Sequence, residues 1–237
     1  MEGLLDFHTH ILPRMDDGSS GTEESLKMLE AEAQQGVDTV VLTPHFYASR
    51  ETPERFIARR AQAFETLSGA AAGRAGLPRL LCGAEVAYYD GLSRSEQLGA
   101  LCIQDTGVML VEMPFCQWNP RMFGELAELR NQRGIQPVVA HVERYLDFQP
   151  VNVVEKLCEQ GLCVQVNASF FTRWQTSRTA MRLLDERLIH FVGTDCHDMK
   201  KRSPNMERAA EKIGRKLGAD ALDYLQHMKH WFLEGMR

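Results

Sequence analysis

Short apolar runs alternate with amphipathic stretches along the chain. Runs at 4–7, 39–43, 79–84, 108–112, 136–140, 163–167 and 190–193, mostly rich in Val, Leu or Ile, read as strands buried in a parallel sheet. Between them, residues 22–35, 53–72, 120–133, 151–160, 178–186, 206–217 and 221–233 carry helical periodicity. Ser20 or Thr22 ahead of Glu23 and Glu24 has the form of a capping box, and Gly36 stands where that helix should stop. Gly36-Val37, Gly134-Ile135 and Gly161-Leu162 each end a helix and lead into a strand. This rhythm predicts about seven βα units in an α/β fold, one domain over 1–237. An open doubly wound sheet and a closed barrel share the pattern.

The polar residues that end these runs favour closure. Asp6-Phe7-His8-Thr9-His10 closes the first run and Gly193-Thr194-Asp195-Cys196-His197 closes the last. Residues two apart on a strand point the same way, so His8 projects with His10, and Asp195 with His197. Two such forks on the first and last strands place the chain's two ends side by side. His45, Glu85, Glu112 and His141 close other runs, and Asp16 and Asp17 follow the first. Barrels put their active sites at the C-terminal ends of strands. Five of the eight histidines fall there, whereas His190, His227 and His230 read as background. Several buried carboxylates near one another need cations between them. The nitrogen and oxygen donors exceed what one ion uses, so two to three divalent ions are expected. Imidazole with carboxylate suits Mn²⁺, Fe²⁺ or Zn²⁺ more than Ca²⁺ or Mg²⁺, and the donors do not decide among the first three.

Composition narrows the class. The chain has 237 residues, a net charge of -5 and an ordinary globular make-up, which argues against bulk electrostatic binding to nucleic acid. No apolar stretch approaches the roughly 20 residues of a membrane span. Residues 1–6 have no basic or long apolar region, so no secretory signal is expected. Six cysteines without a Cys-x-x-Cys pair read as reduced thiols in a cytoplasmic protein.

Cys196 and Arg202 have the C-x5-R spacing of thiol-dependent tyrosine phosphatases, but the intervening residues hold no glycine. Alternation turns Cys196 away from Asp195 and His197, into the packing layer. Arg144, three residues after His141, either clamps a phosphate or pairs with Glu143 or Asp147. Lys200 and Arg202 belong to a basic run that either is solvated or steers an acidic substrate. Phe46, Tyr47, Trp118, Phe170, Phe171 and Trp174 flank strand ends as candidate pocket walls.

Asp6-Phe-His-Thr-His-Ile-Leu-Pro with Asp16-Asp17-Gly18, Thr43-Pro44-His45, Gly83-Ala84-Glu85, His141-Val-Glu-Arg-Tyr145 and Gly193-Thr-Asp195-Cys-His197 together resemble the PHP (polymerase and histidinol phosphatase) superfamily. Within it the chain looks like the CpsB/CapC-type bacterial protein-tyrosine phosphatases of polysaccharide biosynthesis. The resemblance implies a distorted seven-stranded TIM-like barrel with a trinuclear site. His8, His10, Glu85 and Asp195 would hold one ion; Glu85, Glu112 and His141 a second; Asp17, His45 and His197 a third, with Asp16 the alternative to Asp17. Arg144 would match the family's phosphate-binding arginine, and Asp16 is a candidate proton donor. The implied substrate is the phosphotyrosine-bearing C-terminal tail of a bacterial tyrosine kinase in capsule or exopolysaccharide synthesis, and the family allows a homo-oligomer. Val142 stands where a proline is more usual. A small-molecule phosphatase acting on histidinol phosphate, a nuclease, an amidohydrolase and a non-catalytic metal-binding regulator are the competing readings.

Overall fold

A computed structural model describes residues 3–234. The expected span of 1–237 and the leader-free start over 1–6 both reach residues outside this range. The strands are β1 (Leu4–Thr9), β2 (Val37–Leu42), β3 (His45–Phe46), β4 (Arg79–Cys82), β5 (Glu85–Ala87), β6 (Val108–Glu112), β7 (Gln136–Val139), β8 (Cys163–Asn167) and β9 (Phe191–Gly193). The helices are α1 (Thr22–Gln34), α2 (Pro53–Ala71), α3 (Leu98–Leu101), α4 (Pro120–Arg133), α5 (Val153–Glu159), α6 (Ala168–Thr172), α7 (Ser177–Asp185), α8 (Met206–Leu217) and α9 (Ala219–Glu234).

All strand pairs are parallel, ordered β1-β2-β4 and β3-β5-β6-β7-β8-β9. The two sheets form one circuit. Across Thr43-Pro44 and Gly83-Ala84 the chain passes from β2 into β3 and from β4 into β5. Gly83 N–H to Leu42 O (2.9 Å) and Glu85 N–H to Pro44 O (3.0 Å) carry the ladder over the breaks. The circuit closes past the end of β9, where Asp195 N–H donates to His8 O at 2.8 Å and His10 N–H to Cys196 O at 2.9 Å. This is the distorted, TIM-like arrangement of seven strand runs. Beside β4 the order is irregular: Gln104 N–H donates to Cys82 O and Ile103 pairs antiparallel with Val108.

Phe7, Val41, Leu81, Leu110, Val138, Cys163 and Phe191 fill the interior, one from each run. Phe232 of α9 meets Phe7 and Phe191 edge-on and plugs the floor. β1 shows how this core and the polar mouth coexist. Its register to β2 slips between Asp6 and Thr9, so three steps on β1 match two on β2. Such a bulge breaks strict alternation. Phe7 joins the apolar core while His8, its neighbour, stands in the polar mouth.

Two departures from the sequence reading are local. The cap of α1 is Gly21, which makes no side-chain hydrogen bond; Ser20 lies one residue earlier, with its N–H and hydroxyl on Glu24 Oε2. β3 and β5 are short extra strands after Pro44 and Ala84, where turn-forming residues hide the continuation. Among the described residues no helix is long and apolar enough to cross a membrane.

Candidate metal centre

The C-terminal ends of the strands form one mouth in which imidazoles and carboxylates converge. β1 supplies His8, and His10 follows its last residue; both are fully buried. β3 begins at His45, β5 at Glu85, and β6 ends at Glu112. His141 follows β7, and Asp195 and His197 follow β9. Glu85 is the hub: Oε2 lies 3.3 Å from His8 Nε2, 3.4 Å from His10 Nε2 and 2.8 Å from His45 Nδ1, and Oε1 lies 2.8 Å from His141 Nε2. Glu112 Oε1 is 3.6 Å from His141 Nε2. Asp195 Oδ1 stands 3.8 and 3.5 Å from the Nε2 atoms of His8 and His10. Asp17 Oδ1 bridges His45 Nε2 (3.5 Å) and His197 Nε2 (3.4 Å).

Donor atoms within 4.8 Å of one another form three groups here: His8, His10 and Glu85; His10, Asp17, His45 and His197; and His45, Glu85 and Glu112. The structure thus brings together all nine residues expected as ligands.

The donor set fits divalent cations. His8 Nε2 and His10 Nε2 face each other at 3.1 Å. Glu85 Oε2, His45 Nδ1 and His197 Nε2 are buried without a hydrogen-bond partner among the described residues. The close approach of Glu85 Oε2 to His45 Nδ1 therefore lacks hydrogen-bond alignment. Buried polar atoms left this way are costly unless a cation satisfies them.

Without ions, protons take the cationic role. Burial would push His141 and His10 down, but Glu112 and Glu85 raise His141 to about 9, and Asp16 holds His10 well above its usual value. Burial would raise Glu85 and Asp195, yet the surrounding imidazoles, with Arg144 beside Asp195, hold both well below the carboxylate range. His197 goes the other way, to about 4, through burial and the positive charges of His10 and Arg202.

The two adjacent aspartates differ. Asp17 is 68 % exposed and points at His45 and His197. Asp16 Oδ2 lies 2.7 Å from His10 Nδ1 and accepts from His45 N–H at 2.9 Å, while Oδ1 accepts from Gly18 N–H. A carboxylate on the outer nitrogen of a ligating imidazole fixes its tautomer and orientation. Burial would raise Asp16, but His10 and these hydrogen bonds lower it to about 2. Asp16 therefore sits behind His10, where it orients that ring, and does not face the imidazoles of the mouth as Asp17 does.

Two ligand backbones are strained. His141 has φ 30° and Asp195 φ 55°, both in the left-handed region that non-glycine residues avoid. Such residues persist where the surroundings over-determine them, often at functional sites. Here the fixing groups are amides on β8. Gln165 Oε1 accepts from His141 N–H at 2.7 Å and stands 3.3 Å from His8 Nδ1; Asn167 Nδ2 donates to Asp195 Oδ2 at 2.9 Å. Sequence reasoning missed this pair, although Gln165-Val166-Asn167 repeats the i, i+2 fork of the histidines.

Arg144 pairs with Asp195, not with Glu143 or Asp147. Arg202 Nη2 lies 2.7 Å from the other oxygen of the same carboxylate. Lys200 is not drawn in: it sits on an exposed turn with its backbone N–H on Asp198. Cys196 faces away from the mouth, fully buried, its Sγ 3.7 Å from Glu32 Oε1. Burial, then Glu32 and Asp6, push its thiol well above 9. Asp6 and Glu32 are also pushed up by burial. Asp6 ties the two forks together by accepting from His8 N–H and from the N–H and hydroxyl of Thr194.

Among the expected aromatics only Tyr47 meets a ligand, 5.3 Å from the His45 ring. Phe46, Trp118, Phe170 and Phe171 are core, and Trp174 is solvent-exposed. Phe115, not foreseen, is 51 % exposed beside His141, with ring planes 15° apart and centroids at 6.4 Å.

The capsular polysaccharide synthesis, CpsB/CapC, family model matches residues 4–229. A tyrosine-protein phosphatase CpsB of Streptococcus agalactiae is 30% identical over 234 residues, 94% of each chain. A solved structure described as YwqE from Bacillus subtilis and CpsB from Streptococcus pneumoniae, metal-dependent tyrosine phosphatases, superposes with a TM-score of 0.86 at 25% identity, covering 98% of this chain and 96% of the other. The histidinol phosphate phosphatase of Lactococcus lactis shares the fold, with a TM-score of 0.56 at 13% identity over 93% of this chain and 94% of its own.

Proposed function

Since the chain belongs to the CpsB/CapC family of capsular polysaccharide synthesis, we propose that its clustered mouth hydrolyses phosphotyrosine on a protein substrate with the help of divalent cations. The observation that carries this reading is the convergence of five imidazoles and four carboxylates around Glu85. His8, His10, Glu85 and Asp195 would hold one ion, Glu85, Glu112 and His141 a second, and Asp17, His45 and His197 a third. Two to three ions suit this number of donors; imidazole with carboxylate suits Mn²⁺, Fe²⁺ or Zn²⁺, and Mn²⁺ is the ion we propose. Bound ions supply positive charge for the phosphoryl oxygens and lower the pKa of the attacking water toward neutrality.

The chain's own residues supply the rest. Arg144 and Arg202 present guanidinium donors at the rim and bind the phosphoryl oxygens, Arg144 as the bidentate clamp. Asp16 and Gln165 hold His10 and His8 in orientation, and Asn167 holds Asp195. A tyrosine leaves as a phenolate of pKa about 10, so the reaction needs little protonation of the leaving oxygen. Phe115, half-exposed beside His141, offers an apolar face to the substrate ring. Cys196 takes no part.

The family relationship supports the phosphotyrosine-bearing tail of a bacterial tyrosine kinase as the partner. The six free cysteines suit a reducing cytoplasm. The test compares a phosphotyrosine peptide with histidinol phosphate, using chelated protein and the same protein reloaded with Mn²⁺. Mn²⁺-dependent hydrolysis of the peptide, well ahead of histidinol phosphate, is the expected outcome. Preference for histidinol phosphate makes the protein a small-molecule phosphatase, and full activity after exhaustive chelation ends the metal-dependent reading.

A further inference from the structure

Beside the metal centre the surface opens into a groove of about 530 Å³. Asp17 and His45 form its inner wall, and Tyr47, Arg50, Arg55 and Arg59 line the part leading away. The groove is therefore continuous with the catalytic mouth. Asp16 and Glu51 also line it, so three carboxylates face three arginines, but each carboxylate is already engaged: Asp16 with His10, Asp17 with His45 and His197, and Glu51 with Arg59. Arg59 is engaged, with Nη1 2.5 Å from Glu51 Oε1 and Nη2 donating to Met15 O. Arg50 lies 4.3 Å over the Tyr47 ring. Neither Arg50 nor Arg55 has an acidic partner among the described residues, and both are exposed.

Both also flank the start of α2, capped by Thr52. A helix N-terminus carries the positive end of the dipole, so two unneutralised arginines there are the unfavourable choice for stability. The one carboxylate of that first turn, Glu54, is taken by Gln97 Nε2 at 2.5 Å. Arg50 and Arg55 are thus two guanidinium groups of the groove that no carboxylate among the described residues pairs with.

We propose that this groove binds acidic side chains flanking the phosphotyrosine of the substrate, with Arg50 and Arg55 as the contacts that select them. The proposal rests on the phosphatase reading of the metal centre and adds a substrate class to it. An extended peptide advances about 3.3 Å per residue, so a segment whose phosphotyrosine enters the mouth reaches these arginines within a few residues. The attraction is long-ranged, acts on encounter and weakens with salt, over a screening length of about 8 Å at physiological ionic strength.

The experiment uses the Mn²⁺-loaded protein, free phosphotyrosine and two phosphotyrosine peptides of equal length. One peptide has Asp and Glu around the phosphotyrosine, the other Ser and Gln. At low salt the wild type should favour the acidic peptide by about tenfold in kcat/KM, carried by KM, and the preference should shrink as salt rises. The double variant Arg50→Gln/Arg55→Gln should treat the two peptides alike. A wild type indifferent to the flanks, or a double variant that keeps the full preference, overturns the proposal. Free phosphotyrosine separates the two levels of failure. Hydrolysis of it without any preference among peptides removes only the groove, whereas its complete resistance removes the phosphatase reading and the groove with it.

Discussion

Asp16 and Asp17 are neighbours in sequence, yet one orients an imidazole from behind and the other faces two imidazoles from the front. The sequence left them interchangeable, because their roles depend on how a loop folds back on His10. Gly18 permits that fold: a Cβ there would lie 2.2 Å from His10 O. Asp16→Asn removes the charge that polarises His10 and should weaken Mn²⁺ binding by roughly 10–100-fold, read by calorimetric titration of metal-free protein. Arg144→Ala should instead lower kcat by about 10²-fold with metal content retained, measured on one preparation. Loss of metal in that variant would make Arg144 a structural partner of Asp195 rather than a phosphate clamp. His190, outside the mouth, accepts from Val164 N–H through Nδ1, and burial lowers its pKa from 6.5 to about 4. The unfolded chain binds this proton below about pH 6.5, so the contribution is complete above that value and is lost as pH falls through the window to 4. His190→Gln keeps an acceptor but cannot titrate. Between pH 7 and 5 the metal-free variant should lose about 2 kcal/mol less stability to urea denaturation than the wild type.

At the scale of elements, the forks were legible because side-chain direction on a strand follows from spacing alone. What spacing could not show is the bulge in β1, which allows Phe7 to serve the core while His8 serves the mouth. Nor could it show β3 and β5, whose two and three residues follow Pro44 and Ala84. Those short strands aim His45 and Glu85 inward, and register pairs the two residues directly. Gln165 and Asn167 escaped attention because amides are not ligands for the expected ions, although they sit on the strand run that had no candidate of its own. The closure of β9 on β1 is tight: a Cβ on Gly193 would meet His8 Cβ at 2.6 Å and His8 N at 2.8 Å. Gly193→Ala should push the last fork off the first. The expected result is a lowered Tm together with less bound metal per chain; unchanged metal content would show that the forks tolerate separation.

For the molecule as a whole, alternation of strands and helices foretold the parallel α/β order, and ligands on the first and last strands foretold closure. Both rest on patterns the chain repeats. The groove beside α2 was invisible because it joins residues 50–59 to a loop at 15–17, a proximity that only the closed circuit creates. The circuit also explains why ions should matter to stability as well as chemistry. Its mouth gathers charged groups from both ends of the chain, and a ligand bound only by the folded state adds about 2.7 kcal/mol at a hundred times its Kd. Mn²⁺ added to chelated protein should therefore raise Tm, whereas an unchanged Tm at saturating metal would show that the mouth is held without cations. The central claim is that the strand ends cage several ions around Glu85. Anomalous diffraction at the manganese edge from Mn²⁺-soaked crystals tests it most directly. The account predicts two or three peaks among His8, His10, Asp17, His45, Glu85, Glu112, His141, Asp195 and His197. No peak there, or peaks confined to other parts of the surface, would contradict it.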